Sequence, residues 1–214
     1  MMKRNKLATG LVATSAVGAA VLAMSGPAHA LATNYTPTSS NSGAAVTFTG
    51  TNVSFTDIPA SQTLTCTTFN LTGTVTNNGV SRLMGAEAGS LGSLTSSGCT
   101  NPIAGATTVT PTGTWKVKIT GDEVSGVSPA TLYDVNADVT AAGCTFDVAG
   151  SVDGTFNETN QRFTPTAYAT DPNIELEISS TPVGSTCLLL DVQLGDPIDV
   201  GGYWTTSGLT ITNP

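Results

Sequence analysis

Two segments of the sequence are the most informative about its structure: "TCTTFNLTGTV" at 65–75 and "GCTFDVAGSV" at 143–152. Each segment contains a cysteine and an aromatic residue, followed by an apolar residue, a glycine and a valine at every second position. Because successive side chains of a β-strand point to opposite faces, this spacing gives each segment one apolar face. The segments therefore predict two similar strands, each buried on one side.

The first segment has one residue more than the second between its cysteine and its aromatic residue. Cys144 and Phe146 are two positions apart, whereas Cys66 and Phe69 are three apart. A one-residue slip would turn either the cysteine or the apolar residues to the opposite face. The sequence therefore predicts a β-bulge near residues 67–68 that keeps both Cys66 and Phe69 inward.

The rest of the chain repeats the same alternation in short runs separated by turn-forming residues. Turn signals include Asn78-Gly79 and Asp153-Gly154, which favour tight reversals of the chain. No run of useful length has the helical period. About a dozen short strands predict an all-β sandwich or barrel, and we expect an antiparallel β-sandwich.

The two segments begin a longer repeat. Cysteine, cysteine and tryptophan follow one another twice, as Cys66, Cys99 and Trp115 and as Cys144, Cys187 and Trp204. This order predicts one domain over 44–214, built from two duplicated halves at about 44–121 and 125–214. Independent strand patterning that happens to coincide is the alternative.

Four cysteines in an oxidising compartment predict two disulfides. Duplication favours Cys66 with Cys99 and Cys144 with Cys187. The crossed set, Cys66 with Cys187 and Cys99 with Cys144, is also symmetric and remains the alternative. The chain has no CxxC pair to suggest a metal site instead.

Residues 1–30 have the pattern of a secretory signal peptide. Lys3, Arg4 and Lys6 precede an apolar run of small residues, and "PAHA" at 27–30 offers a cleavage site. We expect residues 31–43 to form a flexible lead. The predicted location is extracellular or at the cell surface, with no membrane insertion after the signal is removed.

The chain is acidic, with seven basic residues against fifteen acidic ones and a formal net charge of −8. Removing the signal removes three basic residues and leaves four against fifteen, a net charge of about −11. Such a chain is repelled by phosphate backbones, so we expect no nucleic-acid partner.

Catalytic chemistry has few candidate residues. The one histidine, His29, lies in the signal, which excludes Ser-His-Asp and Cys-His catalysis in the mature chain. Glu175 and Glu177 share a strand face but fit a solvated surface better than a glycosidase pair. Asp196 and Asp199 fit an acid-capped turn better than a calcium site. The sequence therefore predicts a protein that is not an enzyme, with no cofactor and no metal.

Several motifs together resemble a family of small secreted proteins of high-GC actinobacteria that have two cysteine pairs. The matching stretches are "LTCTTFNLTGTV", "GCTFDVAGSVDGTFNE" and "STCLLLDVQLGDPIDVGGYWTTSGLTI". In strand and cysteine spacing the chain is also similar to secreted proteins named as activators of alkane oxidation. The resemblance implies export and a β fold, and it supplies no catalytic motif.

The sequence predicts a non-enzymatic component of the cell envelope, the extracellular matrix or an adhesive surface. Its partners would be cell-surface or matrix proteins, including further copies of itself. The alternative is a carbohydrate-binding module in which Tyr203 or Trp204 stacks on a sugar ring. Both aromatic residues follow a Gly-Gly pair, and adjacent strand residues face opposite ways.

Overall fold

The computed structural model describes residues 32–171 and 175–213. The predicted signal peptide lies outside the described residues. Strands dominate this part of the chain, which confirms the all-β prediction. No helix among the described residues has the length and apolar character needed to cross a membrane.

The described residues before position 125 form seven strands. In chain order they are β1 (Asn34–Ser39), β2 (Ala45–Asp57), β3 (Gln62–Val75), β4 (Arg82–Leu83), β5 (Glu87–Asn101), β6 (Gly105–Pro111) and β7 (Trp115–Ile119). A 3-10 helix at Ser42–Ala44 separates β1 from β2. The long strands carry the period-two apolar pattern, which is why they form.

The described residues from 125 onward form seven further strands and one short helix. They are β8 (Val127–Ala141), β9 (Cys144–Asn157), β10 (Arg162–Pro165), β11 (Glu177–Ile178), α1 (Cys187–Leu190), β12 (Ile198–Gly201), β13 (Trp204–Thr205) and β14 (Leu209–Thr212). The chain between β11 and β12 is otherwise irregular.

Eight strands pair in an antiparallel ring that closes on itself. The order around the ring is β2, β3, β5, β7, β8, β9, β10, β13 and back to β2. The predicted sandwich is therefore replaced by a barrel, in which closure removes the free sheet edges. Inward-facing apolar side chains fill its interior and form the core.

The two halves do not make equivalent contributions to this ring. Each half begins with a long hairpin, β2–β3 and β8–β9. After the hairpin, β3 pairs with β5 over most of its length, whereas β9 pairs with only two residues of β11. The sequence repeat therefore corresponds to two similar hairpins that lie in different surroundings.

Within the predicted flexible lead, Asn34–Ser39 instead forms a strand of a second, three-stranded sheet. β1 pairs with β14 on one side and with β4 on the other. The inward positions of β1 are Tyr35, Pro37 and Ser39, and the ring of Tyr35 is fully buried in the core. Strand pairing and this buried ring order the segment, although its composition is that of a loop.

The two disulfides join Cys66 to Cys99 and Cys144 to Cys187. This is the pairing favoured by duplication, and it excludes the crossed set. Cys66 and Cys99 are direct neighbours on β3 and β5. Cys187 is the first residue of α1, so the second disulfide ties the irregular segment to the start of β9.

Cys66 and Phe69 are both buried, as predicted. The predicted β-bulge near residues 67–68, which would give β3 a residue more than its neighbours, is wrong. The pairs before and after Thr67 keep one register with both β2 and β5. Asn52 and Gly98, at the level of Thr67 on the two neighbouring strands, both have positive φ. Each of the three strands thus has one residue more than strict inward–outward alternation requires, at the same level of the sheet. The strands therefore stay paired in one register across this level.

Candidate functional site

One end of the barrel, where β2 turns into β3, contains an apolar cavity of about 70 Å³. Its lining is almost wholly hydrophobic. From the strands of the ring and from β6 the lining side chains include Phe55, Leu64, Phe69, Val109, Trp115, Val135, Ala137, Val139, Ala141, Phe146 and Val148. An apolar cavity in a barrel end is a common place for a small ligand.

Strand alternation explains the wall formed by β8. Val135, Ala137, Val139 and Ala141 are every second residue and are all buried. The small alanines leave space that larger residues would fill, so the interior is not fully packed here.

Aromatic rings form the floor of the cavity. The ring of Phe69 lies between those of Phe55 and Trp115, with centroid distances of 5.3 and 5.7 Å. The Trp115 indole N–H donates to the carbonyls of Thr112 and Asn136 at 3.2 and 3.1 Å. These hydrogen bonds fix the Trp115 ring in place against the cavity.

The irregular segment after β11 supplies the facing wall. Leu190 at the end of α1, Val192 and Ile198 line the cavity together with Leu176 and Ile178. Backbone hydrogen bonds from Ile198 to Leu176 and from Ile178 to the carbonyl of Asp196 hold this wall together, at 2.8 and 3.0 Å. The Cys144–Cys187 disulfide anchors its helical end.

Four polar side chains line the cavity: Asp57, Gln62 and Asn101 at the hairpin end, and Thr107 on β6, whose hydroxyl donates to the Gly105 carbonyl. The Asn101 side-chain amide donates to the Thr63 carbonyl at 3.1 Å and to Gln62 Oε1 at 3.4 Å. Asn101 Oδ1 in turn accepts the backbone N–H groups of the turn after β5. The amides are therefore largely engaged with the protein itself.

Asp57 is less well satisfied. Its side chain is only 4 % exposed. Oδ1 accepts the backbone N–H of Ala60 at 3.1 Å, while Oδ2 is buried and accepts no hydrogen bond from the described residues. The neighbouring Asp196 side chain can hydrogen-bond to this carboxyl only when Asp57 is protonated. Burial raises the pKa of this carboxyl to about 6; the Ala60 N–H opposes the shift, and the nearby carboxyl groups of Asp196 and Asp191 add to it.

The predicted surface aromatics occupy different environments. Trp204 is 1 % exposed and donates its indole N–H to the Phe69 carbonyl at 2.8 Å, so it presents no face to a ligand. Tyr203 is 40 % exposed, with the Arg162 guanidinium 3.8 Å from its ring centroid. The carbohydrate-binding alternative therefore rests on Tyr203 alone and stays a prediction.

Of the other candidate carboxylates, Glu175 and Asp199 line one small pocket together with Asp153 and Asp171, whereas Glu177 and Asp196 do not line it. Glu175 accepts a hydrogen bond from Ser151, and Glu177 is exposed on β11. Asp199 accepts the backbone N–H of Tyr168, and Asp196 that of Gln193. Within the part of the chain that the structure describes, no group of three or more potential ligands could hold a metal ion.

The sequence interpretation missed Asp57 as an inward-facing polar residue, although a signal for it was present. Asp57 continues the inward-facing positions Val53 and Phe55 of β2. In the same way Gln62 lies two residues before the inward-facing Leu64 of β3. Asn101 lies two residues after the inward-facing Cys99 of β5. Polar residues in an apolar phase next to a turn indicate a polar group that faces the interior.

Comparisons with models of protein families, with curated proteins and with solved structures found no match to this chain. The resemblance to secreted actinobacterial proteins therefore stays a prediction from the sequence motifs.

Proposed function

We propose that this protein is a non-enzymatic binding protein that takes the apolar part of a small molecule into the end of its barrel. The observation that supports this proposal is the cavity, whose walls are mainly apolar, with polar side chains only at the hairpin end and on β6. Burying aliphatic carbon there is favourable by about 25 cal/mol per Å² of apolar surface removed from water.

The volume limits what can enter. About 70 Å³ is roughly half of the 150 Å³ or so that accommodates benzene in a dry apolar cavity. The cavity therefore suits a short aliphatic chain, or the end of a longer one, and is too small for a whole lipid.

Trp115 provides a direct assay, because it lines the cavity whereas Trp204 does not. Titration with 4-bromo-1-butanol should quench Trp115 fluorescence, since bromine quenches an indole in contact with it. Trp204→Phe should keep the saturable quenching, and Trp115→Phe should abolish it.

A cavity-filling variant provides the second arm of this test. Ala137→Leu should weaken the saturable quenching, because the added carbons occupy the cavity. An outward-facing control, Thr140→Leu on the same strand, should leave it unchanged. Quenching that never saturates in the wild-type protein would contradict the proposed function.

A second candidate is the envelope or matrix role expected from the sequence. The segment around α1 exposes Val183, Leu188, Leu189 and Leu194, with Leu188 91 % exposed. Exposed aliphatic clusters of this kind favour contact with another protein surface, and a second copy of this chain is the partner we propose.

Sedimentation velocity tests the second candidate over a range of protein concentrations. Association that grows with concentration and is lost in the Leu188→Ser, Leu189→Ser double variant would support it. A wild-type protein that stays monomeric throughout would contradict assembly through this surface.

A further inference from the structure

The unused oxygen of Asp57 indicates which polar group a ligand should carry. Asp57 is the one ionisable residue among the described residues that line the cavity. Its Oδ1 caps the hairpin turn through the Ala60 N–H, which explains one oxygen only. Burying a carboxylate oxygen without a hydrogen-bond partner raises the free energy of the folded protein. A ligand group that donates a hydrogen bond to this oxygen therefore binds favourably.

The basic side chains of the described residues make their contacts away from Asp57. Arg82 donates to backbone carbonyls at the end of β3, Lys116 pairs with Asp134 at 2.9 Å, Lys118 lies over Tyr133, and Arg162 lies over Tyr203. The charges near Asp57 are the carboxyl groups of Asp196 and Asp191, on the segment packed against it. The surroundings of Asp57 are therefore negative.

We propose that the ligand is a small aliphatic amine, bound with its ammonium group against Asp57 Oδ2 and its carbon chain in the apolar cavity. This inference rests on the proposed function and adds the chemical class of the ligand. An ammonium group donates charge-assisted hydrogen bonds to a carboxylate, while the acidic surface of the whole chain attracts cations. At low pH Asp57 is protonated, and its own hydrogen bond to Asp196 takes the place of the one from the ammonium group.

Competition against 4-bromo-1-butanol measures how strongly the cavity prefers an amine to an alcohol. n-Butylamine and 1-butanol have the same chain and differ in the terminal group, and each displaces 4-bromo-1-butanol and restores Trp115 fluorescence. At pH 8 we expect butylamine to bind about tenfold more tightly than butanol, the scale of one charge-assisted hydrogen bond.

Asp57→Asn separates the charge from the turn cap, because an asparagine oxygen can still accept the Ala60 N–H. This variant should bind butylamine no better than butanol. Asp138→Asn removes the same charge from an exposed position on the outer face of β8 and should keep the full preference.

The pH dependence of the wild-type protein gives a readout that needs no variant. Butylamine stays protonated between pH 5 and 8, since alkylammonium groups titrate near pH 10. Asp57 loses its proton as the pH rises through about 6. Butylamine affinity should therefore rise over this interval, while butanol affinity should not.

The outcomes separate the two proposals. Equal displacement by butylamine and butanol at pH 8, or an amine preference that persists in Asp57→Asn, would overturn the amine assignment and leave the cavity-binding function standing. An absence of saturable quenching by the brominated alcohol would overturn both. If Asp57→Asn fails to fold, a flat pH profile for butylamine in the wild-type protein would refute the assignment.

Discussion

Asp57 combines a structural role with an electrostatic cost. Its Oδ1 closes the β2–β3 turn, but its Oδ2 and its negative charge are buried beside Asp196 and Asp191. The folded-state pKa of about 6 lies above the ordinary value of 3.8. The folded protein therefore holds this proton more tightly than the unfolded chain does, and ionising Asp57 opposes folding.

Stability should depend on pH through this residue. Relative to Asp57→Asn, the wild-type protein should lose stability as the pH rises from about 4 to about 6, by on the order of 1–3 kcal/mol. Urea denaturation of both proteins at several pH values measures the difference. A stability difference that does not change across this interval would contradict a buried, ionisable Asp57.

Single residues also control strand register where Asn52, Thr67 and Gly98 lie side by side on β2, β3 and β5. Deleting Thr67 would shift the part of β3 on one side of residue 67 by one residue relative to both β2 and β5. Cys66 would then point away from Cys99. Because a native disulfide is lost as well, we expect a cost of about 2–5 kcal/mol or failure to fold. Denaturation and non-reducing peptide mapping report both effects.

Deleting all three residues provides the matched comparison. The triple deletion restores in-phase alternation in β2, β3 and β5, so it should recover part of the lost stability and the Cys66–Cys99 disulfide. A Thr67 deletion that folds as well as the wild-type protein would show that the extra residues are independent of one another.

The two disulfides constrain elements of very different regularity. Cys66–Cys99 joins two long strands that are already paired along their length. Cys144–Cys187 holds α1 and the irregular segment that forms one cavity wall. Local stability follows the density of hydrogen bonds and packing contacts, so the second disulfide matters more for local order.

Hydrogen exchange should reveal this difference. Cys144→Ser with Cys187→Ser should raise amide exchange in 179–197 and weaken binding in the cavity, because Leu190 and Val192 are released. Cys66→Ser with Cys99→Ser should lower global stability and leave the relative protection of 179–197 unchanged. Equal local exchange in the two double variants would contradict this assignment.

The sequence predicted the long strands but could not predict how the ring closes. Alternation in β2, β3, β8 and β9 is the same whether a sheet stays open or closes. Closure depends on β10 and β13, strands of four and two residues. Strands this short carry little periodic signal, and their pairing depends on contacts with residues far away in the sequence.

Across the whole molecule, Phe69 lies at the centre of the packing. Trp115 lies 5.7 Å and Trp204 6.2 Å from it, measured between ring centroids. Both tryptophans were recognised in the sequence as repeated features, and the structure uses both in the core. The cavity beside this cluster could not be predicted, because a void depends on how side chains of distant strands fail to fill space.

Xenon binding in a crystal tests whether this void exists and is apolar. Xenon enters dry apolar cavities without any polar group to guide it. A crystal of the protein pressurised with xenon should show a peak of density between Phe69, Val139 and Leu176. Side chains that close over this space, or ordered water in place of xenon, would contradict an apolar binding cavity at the end of the barrel.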